Sequence, residues 1–159
     1  MVRRKERYFV CEVIDPNAVD RPHFSTSSSS RPFLSKDALL TGLIDSIRDC
    51  HGVYGLALLE PERGVVRIKH VNPGTSLVIL RCLRAHHRLF WSALNFVRSI
   101  AGKDCFLNTL YVGATLRSCE AFVIKHHRKK LTEELGKTND ATKRIELQKM
   151  IVASCQVAV

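Results

Sequence analysis

Acidic side chains are scarce in this chain. Against 25 Lys and Arg stand only 15 Asp and Glu, which leaves a formal net charge of +10 and a pI near 9.7. Such an excess attracts polyanions, nucleic acid first and acidic membrane surfaces second. Long apolar runs are missing too: none approaches the roughly 18–20 residues of a transmembrane span. The basic N-terminus is not followed by the apolar core and cleavage site of a signal peptide, so the chain reads as intracellular, with no membrane partner. The 6 cysteines, Cys11, Cys50, Cys82, Cys105, Cys119 and Cys155, contain no CxxC pair and no zinc-module spacing. Most stand among apolar neighbours, where a free thiol behaves as a small core hydrophobe, and we expect them reduced.

Catalytic signatures are equally thin. There is no glycine-rich phosphate loop, and no nucleophile–base pair is legible. The pairs His86-His87 and His126-His127 fall in expected helices, where neighbours point about 100° apart rather than sharing the face that a helical metal site requires. Acylphosphatase-type chemistry needs a positioned Arg and Asn, for which Arg117 and Asn108 can be nominated. We expect no catalytic residue, no metal ligand and no cofactor bound by this chain.

What is present is an ordered alternation of elements. With 159 residues, 45% of them apolar and 25% charged, a single soluble domain spanning 1–159 is expected. Arg7 to Ile14 alternates as a strand, with Phe9, Cys11 and Val13 on one face and Tyr8, Val10 and Glu12 on the other. A serine-rich stretch, about 15–34, has no periodicity and reads as a flexible loop. Ser35 can cap a helix carrying Leu40, Leu43, Ile44, Ile47 and Cys50 that ends near His51-Gly52. Val53 to Glu60 is compatible with a helical turn or a strand. Val65 to Val71 and Ser76 to Cys82 flank the turn Asn72-Pro73-Gly74-Thr75, which predicts a β-hairpin. Its second strand, Leu77 to Leu80, is apolar on both faces and should be covered twice. A helix over Arg84 to Ile100 would bury Leu89, Phe90, Ala93, Leu94, Val97 and Ile100, and a strand over Phe106 to Val112 follows. A helical extension over about 115–156 completes the chain: one helix of about twenty residues from Thr115 and a last one from Asn139 or Asp140 to about Ser154. The order β-α-β-β-α-β with extra C-terminal helices predicts an α+β sandwich of the ferredoxin-like or RRM-like kind, an α/β fold with an antiparallel sheet.

The charge is clustered. It collects at Arg3, Arg4, Lys5 and Arg7, at Arg81, Arg84 and Arg88, and along the helix after Gly113. There Arg117, Lys125, Arg128 and Lys129 fall within about a third of the circumference. Such stripes hold a phosphate backbone and carry little sequence information. The strand–Gly–helix junction from Phe106 to Phe122, with Thr115 as N-cap and a cation in the first helical turn, adds donors suited to an anion. The RRM manner of reading single strands needs aromatics on an open sheet face. On the open face of the first strand only Tyr8 stands out, and the hairpin strand Ser76 to Cys82 offers no aromatic. Arg3, Arg4, Lys5, Arg7, Tyr8, Arg81, Arg84, Asn108, Thr115, Arg117, Lys125, Arg128 and Lys129 are the candidate RNA-binding residues.

Several segments resemble one family. They are Met1-Val2-Arg3 with Lys5, Arg7-Tyr8 and Cys11-Glu12; His51-Gly52 with Gly55; Val78 to Cys82; Phe90-Trp91-Ser92-Ala93-Leu94; and Phe106 to Leu110 with Val112-Gly113, Thr115, Arg117 and Cys119. In this order they are similar to the Pop-five family, small RRM-like subunits of ribonuclease P and ribonuclease MRP. The serine-rich loop and the absence of an acidic tail depart from some relatives. The resemblance implies a noncatalytic subunit that binds and stabilises a catalytic RNA, in a particle that removes the 5′ leader of precursor tRNA or acts in ribosomal RNA processing. It implies ribonuclease P RNA and ribonuclease MRP RNA as partners, with precursor tRNA in the holoenzyme. It also implies a TIM-barrel subunit, a second small RRM-like subunit, Mg2+ at the RNA, and a place in the nucleus and nucleolus. On this reading some apolar surface of Leu77 to Leu80 and of Leu89 to Ile100 is kept for protein partners. The alternative is an independent ferredoxin-like RNA-binding module or a small enzyme.

Overall fold

Alternation along the first strand decides the layering. β1 (Glu6–Ile14) sends Phe9, Cys11 and Val13 into the core, as read from the sequence, and Glu6, Tyr8, Val10 and Glu12 to the opposite face. The structure, a computed structural model, describes residues 5–16, 34–59, 64–137, 145 and 149. After β1 come α1 (Lys36–Leu59), β2 (Arg67–Asn72), β3 (Leu77–Leu83), a 3-10 turn over Arg84–His86 and α2 (His87–Asn95). Two short strands, β4 (Ser99–Ile100) and β5 (Lys103–Asp104), then precede β6 (Phe106–Gly113) and α3 (Leu116–Lys137). The main sheet has the order β2-β3-β1-β6 and is antiparallel throughout, the α+β arrangement expected from the order of elements. The chain divides into two compact units, Met1–Thr115 and Leu116–Val159.

In the first unit α1 and α2 pack on the face that carries Phe9, Leu80 and Leu107. Phe9 and Phe90 meet edge to face with centroids 5.4 Å apart. Each fully buried side chain of this size contributes about 2–3 kcal/mol through removal from water. The second hairpin strand is covered twice, as its sequence predicts: Val78 and Leu80 join the core cluster, and Leu77 and Ile79, on the other face, are buried as well. The apolar side chains Phe90, Ala93, Leu94, Val97 and Ile100 also lie in this core. The expectation that apolar surface is kept free is therefore corrected for Leu77 to Leu80, which the fold itself buries, whereas the segment Leu89 to Ile100 leaves Trp91 and Phe96 exposed. Further exposed apolar side chains sit at Val53, Tyr54 and Phe106.

Local chemistry explains the element boundaries. Ser35 caps α1 by accepting the Ala38 N–H at 3.1 Å. Gly52 breaks that helix with φ 61° and ψ −156°, and Val53 to Leu59 resumes as helix rather than strand. In the hairpin turn the Asn72 side-chain oxygen accepts the N–H groups of Gly74 and Thr75 at 3.0 and 3.3 Å. The helix read from Arg84 to Ile100 is shorter than expected. It begins as a 3-10 turn and ends at Asn95, where the Phe96 N–H turns back to the Ala93 carbonyl at 3.1 Å. Ile100 belongs to the β4–β5 hairpin, whose two loop residues, Ala101 and Gly102, both have positive φ. Val97 and Ile100 are buried as the helical period demanded, but loop and strand place them there.

The sheet carries two register shifts. Val10 pairs with Tyr111 while Cys11 pairs with Thr109, so Leu110 is an extra residue in β6. Ile68 pairs with Leu80 and His70 with Ile79, so Lys69 is extra in β2.

The second unit holds α3, the helix of about twenty residues read from the sequence. Of the last expected helix, Ile145 and Lys149 are helical; its other residues, like the serine-rich stretch 17–33, lie outside the described residues.

Candidate nucleic-acid interface

Strand register gathers several of the sequence-derived candidates at the start of β1. Tyr8 stands opposite Arg81 on β3, and Arg81 stands opposite Arg67 on β2. Glu6, two residues before Tyr8, shares this face. Its carboxylate takes an ion pair from Arg81 Nη2 at 2.6 Å and a hydrogen bond from the Tyr8 hydroxyl at 2.7 Å. Both carboxylate oxygens are engaged, with the side chains of Arg81 and Glu6 13% and 25% exposed. Arg7 Nη1 donates to the Glu6 carbonyl at 3.2 Å. Lys5 is exposed, and its carbonyl accepts the Arg84 N–H at 2.9 Å, which brings the first cationic segment beside the second. The exposed Arg84 starts the 3-10 turn, and its carbonyl accepts from His87 Nδ1 at 2.7 Å. Arg88 is exposed one helical turn further on. Arg3 and Arg4 lie outside the described residues.

The remaining candidates are elsewhere. Asn108 is exposed on β6 and paired in register with Glu12, beyond β1 from the arginines. Thr115 is exposed immediately before α3. In the second unit Arg117, Lys125, Arg128 and Lys129 are all exposed on α3. Their spacing of eight, three and one keeps them on a common helical face, as expected.

Sequence reading missed two members of the β1 cluster. Glu6 reads as a break in the basic run Arg3 to Arg7, although its i, i+2 relation to Tyr8 on an alternating strand already puts both on one face. Arg67 carries no local signal, because only the hairpin register makes it the neighbour of Arg81.

Side chains suited to chemistry are engaged in packing. Burial pushes the Cys11 and Cys82 thiols up to about 12, against the smaller opposite pulls of the Thr109 hydrogen bond and of Arg7 and Arg81 respectively. Cys105 is shifted in the same direction, again mainly by burial. His51 Nε2 lies 2.8 Å from Ser92 Oγ and 3.1 Å from the Leu89 carbonyl, and Ser92 Oγ donates to that carbonyl at 2.9 Å. A carbonyl can only accept, so all three atoms are satisfied when His51 carries its proton on Nε2. His51 thus ties α1 to α2. Gly55 makes room for it, since a Cβ there would stand 2.3 Å from His51 Cβ. These contacts account for His51, Gly55 and Ser92, within the segments that carry the family resemblance, in structural terms. A groove of about 570 Å3 beside them is lined by Asp45, Asp49, Cys50, Phe96 and Arg98, so its walls lack the cationic character of the β1 cluster. Among the described residues no helix is long and apolar enough to cross a membrane.

Comparison with known proteins gives matches along most of the chain. The model of the Rpp14/Pop5 family matches residues 7–124. A ribonuclease P/MRP protein subunit POP5 from Bos taurus is 36% identical over 159 residues, covering 98% of this chain and 86% of that protein. The Homo sapiens protein of the same name is 34% identical over 160 residues, covering 98% and 90%. Among solved structures, a chain of the cryo-EM structure of yeast ribonuclease MRP aligns over 83% of this chain and 98% of its own. That alignment has a TM-score of 0.47 and 14% identity.

Proposed function

The chain belongs to the Rpp14/Pop5 family and is a subunit of ribonuclease P/MRP, and on that footing we propose that it is a noncatalytic, RNA-binding one. It holds and stabilises the catalytic RNA through phosphate contacts, for removal of the 5′ leader of precursor tRNA and for ribosomal RNA processing. The observation that carries this reading is the exposed stripe Arg117, Lys125, Arg128 and Lys129 on a single helix. Four cations spaced along about 18 Å of helix axis match a repeating polyanion better than a small anion. The engagement of His51 and Ser92 in helix packing and the raised thiols of Cys11 and Cys82 support a noncatalytic role. Chemistry then falls to the RNA and its Mg2+, with no cofactor held by this chain. A TIM-barrel subunit and a second small RRM-like subunit are the proposed protein partners, and the nucleus and nucleolus the proposed location.

Affinity purification of the full chain from its own cells tests this reading. A discrete structured RNA and a TIM-barrel protein should be recovered in stoichiometric amounts. Recovery as a stable monomer without such an RNA overturns it.

A further inference from the structure

The face shared by Glu6, Tyr8, Arg81 and Arg67 is unbalanced in charge: two guanidiniums stand over one carboxylate. Arg67 and Arg81 are direct cross-strand partners, a placement that destabilises when both carry the same sign. Arg67 is exposed and its guanidinium lies against Gly64, where an added Cβ would meet it. It has no ion pair among the described residues. Arg81 gives Nη2 to Glu6, whereas its Nε is buried and has no hydrogen-bond partner among the described residues. A guanidinium with one edge on a carboxylate and another donor unsatisfied, beside a second guanidinium, is an anion site holding a single internal anion.

We propose that Arg67, Arg81 and the Tyr8 hydroxyl form a phosphodiester-binding site for RNA, which Glu6 occupies in the free protein and vacates when a phosphate enters. This rests on the RNA-binding reading above and adds a specific site and its regulation. A phosphodiester presents two anionic oxygens to a guanidinium as a carboxylate does, and the Tyr8 hydroxyl donates to either. A phosphate lying between the arginines relieves their repulsion and reaches the Nε edge that Glu6 leaves unsatisfied. Glu6 is the first residue of β1 and a quarter exposed, so its side chain can turn outward while its backbone stays paired in register with Leu83. Displacing it costs free energy. The site therefore opens to a backbone already held by other cations and stays closed to a single loose phosphate.

Glu6→Gln preserves the shape and an acceptor for Arg81 while removing the competing charge. Fluorescence anisotropy of the full chain with a labelled ribonuclease P RNA transcript, over a salt series, reads the effect. Glu6→Gln should bind about three- to tenfold more tightly at low salt, with the logarithmic salt slope steeper by about one. Asp45→Asn removes the same charge from an exposed position on α1 and should change affinity less than about twofold. Arg67→Ala, at an exposed position, should weaken binding about threefold and cancel most of the gain from Glu6→Gln when combined with it. The proposal is overturned if Glu6→Gln behaves as Asp45→Asn does, or if Arg67→Ala leaves binding unchanged. Wild-type protein that binds the transcript while Glu6→Gln matches it removes this site alone. Wild-type protein that does not bind removes the RNA-binding reading and this site with it.

Discussion

Ser46 on α1 donates its hydroxyl to the carbonyl of Ala93 on α2 across 2.7 Å, inside the packed seam between the helices. The same carbonyl receives the Phe96 N–H that ends α2, so one oxygen both joins the helices and closes one of them. Ser46→Ala removes the first bond and leaves the second. The expected loss is about 1 kcal/mol, because the carbonyl stays partly satisfied. Urea denaturation should show a lower midpoint with an unchanged m-value.

Gly55→Ala is expected to cost more, roughly 1–3 kcal/mol, because the new Cβ would overlap His51 Cβ and one of them must move. The displaced imidazole leaves Ser92. Its ring proton signals should shift in NMR spectra of the variant, whereas an unshifted His51 would mean that the helix absorbs the methyl elsewhere.

On α3, replacing Arg117 and Lys125 together by Ala should weaken association with RNA and reduce the logarithmic salt slope by about two. A titration in which affinity falls but the slope does not would assign these residues a role other than phosphate contact.

The thiols make stability depend on alkaline pH. Cys11 titrates near 9.0 when unfolded and is pushed up to about 12 by burial in the fold. Above pH 9 the unfolded state releases this proton and the folded state keeps it, so stability is full below pH 9 and falls as pH rises towards 12. Cys82 acts in the same sense. Thermal melts at increasing pH should show this decline, and Cys11→Ala should make it shallower. Below pH 9 the folded protein should react with alkylating reagents at the half-buried Cys50 before Cys11 or Cys82.

Much of this architecture is legible in the sequence where period and punctuation agree. Ser35 as a cap, the Asn72 turn, the doubly covered Leu77 to Leu80 and the stripe on α3 all follow from local rules. The helix from Arg84 overran because Val97 and Ile100 continue its period, while the positive φ at Ala101 has no signature in an alanine. The partnership of Glu6 with Arg81 was hidden for a different reason. It depends on strand register between residues 75 apart in sequence, and a basic run invites Glu6 to be read as an interruption.

Leu110, the additional residue in β6, is a phase slip in an otherwise two-residue rhythm. Leu107 and Thr109 on one side of it, and Val112 on the other, all reach the same face although their parity differs. Deleting Leu110 would restore plain alternation, with Leu107, Thr109 and Val112 still inward and Tyr111 still outward. A second residue inserted beside it, with the bulge still absorbing only one, would instead turn Tyr111 inward and Val112 outward while leaving Leu107 in place. The extra position is therefore an absorbed insertion: the strand can lose it and keep its faces, but cannot gain another beside the same bulge and do so.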